Sequence, residues 1–225
     1  LPSTLMMNAI PAMVAGVKNI VLANPRLSGR INPAVMYVAK KCKIKKIISV
    51  GGAQAIGSLA YIQKVDKIFG PGNDFVARAK REVFGDVGIE GMIAGPSEIT
   101  VVADKLLDMS KVITSMIAQS EHGINSQSIL ITKNEKLIKN INKKINVYLK
   151  KIPRKNIVIQ SLKKNGLLIL AKNNQQIVNI INMISPEHLE LLSKDYKKLL
   201  INICNVGSIG LGIYSPVAAS DYNVG

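Results

Sequence analysis

Short apolar runs alternate along the chain with longer stretches in which apolar residues recur every third or fourth position, the signatures of buried strands and of helices packed on one face. The runs KNIVLAN (18–24), KKIISV (45–50), VDKIFG (65–70), EITVVAD (98–104), SQSILIT (126–132), GLLILA (166–171) and GSIGLG (207–212) read as strands. Between them, PAVMYVAKKCK (33–43), GAQAIGSLAYI (52–62), NDFVARAKREVFG (73–85), KLLDMSKVITSMIAQSEHG (105–123) and NQQIVNIINMI (174–184) read as helices. Shorter helices are expected near 155–164 and 193–200. Such alternation predicts an α/β fold of mainly parallel sheets flanked by helices, with ligands gathered at the carboxyl ends of the strands. The passage 86–97 is the least regular and is the best candidate for a crossing between two α/β lobes, 1–97 and 98–225. No repeat and no low-complexity linker interrupts the pattern.

Charge changes this picture less than its size suggests. The formal net charge is +16, which invites a nucleic-acid reading. Most of the basic residues, however, are lysine, aromatics make up 4% of the chain, and lysine travels with isoleucine and asparagine. A base-reading surface would favour arginine forks and stacking aromatics. In KNEKLIKNINKKINVYLKKIPRK, Leu137, Ile138, Ile141, Ile145, Leu149 and Ile152 recur at helical spacing with lysines opposite, an amphipathic helix stopped by Pro153. Nucleic acid is therefore not the expected partner, and non-specific polyanion contact stays open as a lesser reading.

Apolar residues reach 48%, yet no run attains the roughly 18–20 apolar residues of a membrane helix. The opening LPSTLMMNAIPAMVAGVKNIVLANP has the apolar look of a signal peptide but lacks a basic start and carries Pro2 and Pro11, so it reads as the interior of a fold whose start lies upstream. Cys42 and Cys204 stand far apart without CxxC spacing, which fits a reducing cytoplasm rather than a disulfide framework or thiolate metal site.

Chemistry concentrates in a few stretches. VGGAQ (50–54) sets two glycines between a strand and a helix N-terminus, where exposed N–H groups favour a phosphate; an ordinary tight turn accounts for it equally well. GPGN (70–73) follows the next strand, and Asn73 there could bond a ribose or amide at the same sheet edge. In QSEH (119–122), Gln119 and His122 share a helix face and could both ligate a divalent cation. A histidine interacting with the helix dipole before Gly123 is the simpler local account. In SPEHLE (185–190), Glu187 and His188 place a carboxylate beside an imidazole, which suits proton transfer. A helix start with Ser185 as N-cap and Pro186 at the first position explains the same letters. Asp221, in SPVAASDYNVG, is a third ligand or a turn former.

Taken in order, MMNAIPAMVAGV, VGGAQAIGSLAY, VDKIFGPGNDFVARAK, AGPSE, AQSEHG with SQ, SPEHLE and SDY resemble the histidinol dehydrogenase family over essentially the whole chain. The resemblance implies two Rossmann-like lobes, incomplete here at both termini. It implies an enzyme that oxidises L-histidinol through L-histidinaldehyde to L-histidine with NAD, the last steps of histidine biosynthesis. It further implies one Zn2+ per active site, a homodimer with a shared active site, and a cytoplasmic location. By resemblance Gln119, His122 and Asp221 are metal ligands that also bind substrate, and a histidine from the partner subunit completes the set. Glu187 and His188 correspond to the acid–base pair, His188 also touching substrate; Ser97 corresponds to a substrate-contacting serine, and Gln54 and Asn73 to NAD contacts. A family tyrosine that touches NAD would precede Leu1, Val224 stands where the family has another residue, and the region around 52–62 is a few residues shorter than in many relatives. The chain is therefore expected to be the central portion of a longer enzyme and inactive alone. The alternative from another class is a metal-dependent hydrolase using Gln119, His122 and Asp221 on the metal and Glu187 to activate water.

Overall fold

A computed structural model of the chain describes residues 2–90, 97–105, 108–150 and 152–219. It divides into two compact units, Leu1–Ala94 and Gly95–Gly225.

The first unit opens on α1 (Pro2–Val14), a helix that the sequence pattern did not announce and that tolerates Pro11 in its interior. Leu5 and Ala9 of α1 pack against Val35, Val38 and Ala39 of α2 (Pro33–Lys41). Asn32 caps α2 by accepting from the Ala34 N–H, Pro33 pre-sets the first turn, and Lys40 and Lys41 lie at the negative end of the dipole. Strands β1 (Val21–Ala23) and β2 (Lys46–Ile48) pair in parallel. Next, α3 (Gly52–Gly57) widens into a π-helical turn at Ser58–Ile62, where a single helix was expected. β3 (Lys67–Ile68) leads to α4 (Asp74–Glu82), and β4 (Gly88–Ile89) pairs with β3 in parallel. β4 falls inside the passage that the sequence showed only as irregular. Ile56, Leu59, Ile68, Val83, Val87 and Ile89 form the core of this half.

The second unit is built on a five-stranded parallel sheet of order β7-β6-β5-β8-β9. Its members are β5 (Glu98–Val102), β6 (Gln127–Thr132), β7 (Gly166–Leu170), β8 (His188–Leu191) and β9 (Ser208–Leu211). Strand side chains alternate in direction, so each buried strand feeds two cores. Ile99, Val101 and Leu130 meet α5 (Met109–Ser120), α6 (Glu135–Leu149) and α7 (Lys155–Asn165) on one face. Val102, Ile129, Ile131, Leu189 and Leu191 meet α8 (Asn174–Ile184) and α9 (Tyr196–Leu200) on the other. Burial on both faces explains why these strands read as continuous apolar runs. The lysine-rich α6 is the amphipathic helix expected, with Leu137, Ile141 and Leu149 buried.

The helix start considered for SPEHLE is not what forms. Ser185 sits at φ +51° and ends α8, and the chain enters β8 at His188. Four paired residues on each side, against β5 and β9, outweigh the local capping signal. The short α10 (Val217–Ala219) closes the described chain.

Candidate functional site

Ser97, His122, Glu187 and His188 lie at the amino edge of the five-stranded sheet, not at the carboxyl ends where ligands of such sheets were expected. Ser97 immediately precedes β5, Glu187 immediately precedes β8, and His188 opens β8, the strand hydrogen-bonded to β5. α5 runs back from the carboxyl end of β5 toward the start of β6, so its last turn delivers His122 to the same edge. Parallel pairing brings the first residues of adjacent strands together; the antiparallel return of the crossover helix brings the third element.

The contacts follow from this placement. Ser97 Oγ lies 3.4 Å from His122 Nδ1. The Glu98 N–H donates to Glu187 Oε2 at 3.1 Å, so β5 fixes the carboxylate of β8. Glu187 Oε1 stands 3.7 Å from His188 Nε2. His188 Nδ1 is 2.7 Å from Ser208 Oγ, on the first residue of β9. When Ser208 accepts from Nδ1–H, Nε2 is left with its lone pair, the form a proton acceptor needs. His188 is largely enclosed while Glu187 is exposed, so one member of the pair is held and the other faces water. Ser208 carried no sequence signal: it is twenty residues from His188 and lies in an ordinary-looking strand.

Gln119 lies in the last turn of α5 and His122 in the turn just beyond it, with the His122 N–H donating to the Gln119 carbonyl. Gln119 is 5% exposed, and its Nε2 is buried without a hydrogen-bond partner, while His122 is exposed. That nitrogen is a donor and calls for an acceptor, not a cation; a metal would take the other end of the amide, the Gln119 Oε1. The amide oxygen of Gln119 and an imidazole nitrogen of His122 are an oxygen and nitrogen pair that fits a borderline metal such as zinc. Asp221 lies outside the described residues, and among those described no group of three or more His, Cys, Asp or Glu could hold a metal ion.

In the first unit the two glycine turns do follow strands, β2 and β3, but those strands belong to separate two-stranded sheets instead of one shared edge. A Cβ on Gly51 would stand 2.8 Å from Pro25, so this turn needs glycine for the close approach of the β1 exit. Gln54 is exposed in the first turn of α3. Asn73 is spent partly on structure: its Oδ1 accepts from the Val76 N–H at 3.1 Å and caps α4. The turn before it is clamped. The buried Lys80 ammonium bonds the Gly70 carbonyl at 2.5 Å and pairs with Glu90, whose other oxygen accepts from the Gly70 N–H at 3.0 Å.

The carboxyl edge of the five-stranded sheet does carry a crevice, a cavity of about 410 Å³ lined by Asp104, Lys105, Lys133, Asn134, Lys194 and Asp195. Its charges are largely satisfied internally. Lys133 bonds Asn174 and Asp195, Ser193 donates to Asp104, and hydrogen bonds from Asn174 and then Lys133 hold the Asp195 carboxyl below its usual range.

The family model for histidinol dehydrogenase matches residues 1–225. The chain is 54% identical to histidinol dehydrogenase from Pelagibacter ubique over 228 residues, covering all of this chain and 53% of that protein. It is 44% identical to the enzyme from Listeria monocytogenes, covering all of this chain and 53% of the relative. Among solved structures, histidinol dehydrogenase from Elizabethkingia anophelis superposes with a TM-score of 0.88 at 39% identity, over 98% of this chain and 52% of that one. The chain thus spans about half the length of the curated relatives it matches.

Proposed function

This chain belongs to the histidinol dehydrogenase family, and on that premise we propose that it carries the acid–base and metal-binding core of an enzyme oxidising L-histidinol through the aldehyde to L-histidine. The observation that supports this most is the joint placement of Ser97, His122, Glu187 and His188 on one sheet edge by β5, β8 and the end of α5. Bound NAD would supply the hydride acceptor, and bound zinc a point of attachment for the imidazole and amine of the substrate. Gln119, His122 and Asp221 are the residues proposed to hold the metal, and Gln54 and Asn73 to contact NAD.

The chain's own groups divide the proton work. His188, with Nε2 free and Nδ1 engaged by Ser208, takes the hydroxyl proton as the carbinol carbon gives up hydride. Glu187 deprotonates the water that attacks at the aldehyde level, a role supported by its exposure and by the Glu98 N–H that holds its carboxylate. Ser97 positions substrate beside His122. A homodimer that completes the site in the cytoplasm belongs to the same reading, which the free state of Cys42 and Cys204 suits.

The test is NADH formation from L-histidinol by protein expressed from the complete reading frame, with zinc content measured in parallel. His188→Ala is expected to lower turnover by about 10²–10⁴-fold while keeping zinc, the usual range for losing a general base. His122→Ala is expected to lose zinc. No NADH from the wild type, with hydrolytic turnover instead, would point to the hydrolase; full activity in both variants would dismiss the residue roles.

A further inference from the structure

β8 carries a second carboxylate that proton transfer does not use. Glu190 is 2% exposed and, two residues along the same strand, points to the same face of the sheet as His188. Among the described residues no salt bridge reaches it. Burying an unpaired carboxylate is costly, and an aliphatic side chain would serve a core better there. What Glu190 has instead is two directed donors. The Ser115 hydroxyl donates to Oε2 at 2.7 Å, and the Val217 N–H donates to Oε1 at 3.0 Å.

Those two donors belong to the segments that matter for the metal. Ser115 precedes Gln119 by one turn on α5, on the same helix face, so its anchor sets the rotation of α5 about its axis and hence where Gln119 and His122 project. Val217 lies four residues before Asp221. The chain reaches Glu190 there because it folds back across β9: a Cβ on Gly210 would stand 2.2 Å from the Ser215 carbonyl, so only glycine leaves room. Glu187 and His188 are already held by β5 and β9, whereas α5 and the 217 segment meet on Glu190.

We propose that Glu190 is a positioning residue for the metal ligands Gln119 and His122: it ties α5, which carries Gln119 and leads directly to His122, and the start of α10 to the strand bearing His188. The proposal rests on the functional reading above. Glutamine can imitate this role, its carbonyl accepting from Val217 and its amide donating to the Ser115 oxygen; alanine cannot.

The experiment measures zinc affinity by chelator competition, together with thermal melting, in protein from the complete reading frame. Glu190→Ala should weaken zinc binding by about 10–100-fold, the usual effect of losing a group that orients metal ligands. Ser115→Ala, which removes one of the two anchors, should weaken it by about 2–12-fold. Glu190→Gln should stay within about threefold of wild type, since both hydrogen bonds can re-form. Should Glu190→Ala not fold, Ser115→Ala and Glu190→Gln decide alone. Unchanged affinity in a folded Glu190→Ala or in Ser115→Ala overturns the proposal, as does Glu190→Gln binding zinc as weakly as alanine. A wild type that binds zinc and forms NADH beside such variants overturns this inference alone; a wild type that binds no zinc overturns both readings.

Discussion

Replacing Lys80 by methionine isolates the clamp on the Gly70 turn. The Lys80 side chain is 6% exposed and is matched by that of Glu90 at 22%, with both backbone polar groups of Gly70 bonded to the pair. Methionine keeps most of the aliphatic stem but leaves Glu90 without its cation and the Gly70 carbonyl without its donor. Removing one partner of a fully buried pair costs about 3–5 kcal/mol. Partial access of water to Glu90 places the cost here at about 2–3 kcal/mol. That loss corresponds to a fall of about 30- to 150-fold in the protection of amides that exchange through opening of this region. The reporters are the Gly88 N–H, bonded to the Asp66 carbonyl, and the Glu90 N–H, bonded to the Ile68 carbonyl. Hydrogen exchange read by mass spectrometry over 67–90 measures them, with β5 and β6 as an internal control in the other unit. Adding Glu90→Leu to the variant should recover much of the protection, because the stranded charge goes with it. Unchanged protection in Lys80→Met, or no recovery in the double variant, would refute the argument that this pair holds the turn.

Ser208→Ala should lower turnover by about 2–12-fold through a less well-oriented His188, the worth of one neutral hydrogen bond converted to rate, with little change in zinc content; kcat and metal analysis together check this, and unaltered kcat would remove Ser208 from the site. Asp195→Asn tests the pH dependence at the carboxyl-edge crevice. Because the Asp195 carboxyl is held below its ordinary range, first by Asn174 and then by Lys133, its contribution is present above the unfolded value and fades as pH falls through the lower folded one. The melting-temperature gap between wild type and variant should therefore be widest above about pH 4 and close at more acid pH. A gap that stays constant across the titration would show that the carboxylate is not stabilised in the fold.

Periodicity alone was enough for most of the elements, because helices and doubly buried strands each impose a period on which side chains must be apolar. The fifteen-residue α6 and the eleven-residue α8 stand where the apolar spacing placed them. The reading faltered where the stabilising partner is distant in sequence. β8 was obscured by Ser185 and Pro186, whose local preference is for a helix start, and it forms because β5 and β9 supply hydrogen bonds on both sides. β4, with two residues, is too short to carry a period of its own.

The candidate site divides in the same way. Residue types raised Gln119, His122, Glu187 and His188, since amide, imidazole and carboxylate chemistry is a property of the side chains themselves; Ser97 was named only through the resemblance to the family. Which edge of the sheet they occupy, that Ser208 engages His188, and that Glu190 joins α5 to the start of α10 were decided by the fold alone. The Ser208 contact spans twenty residues and the Ser115 contact seventy-five. Contacts over such separations leave no local period in the sequence, because they exist only once parallel pairing has aligned the strands and the crossover helix has returned beside them.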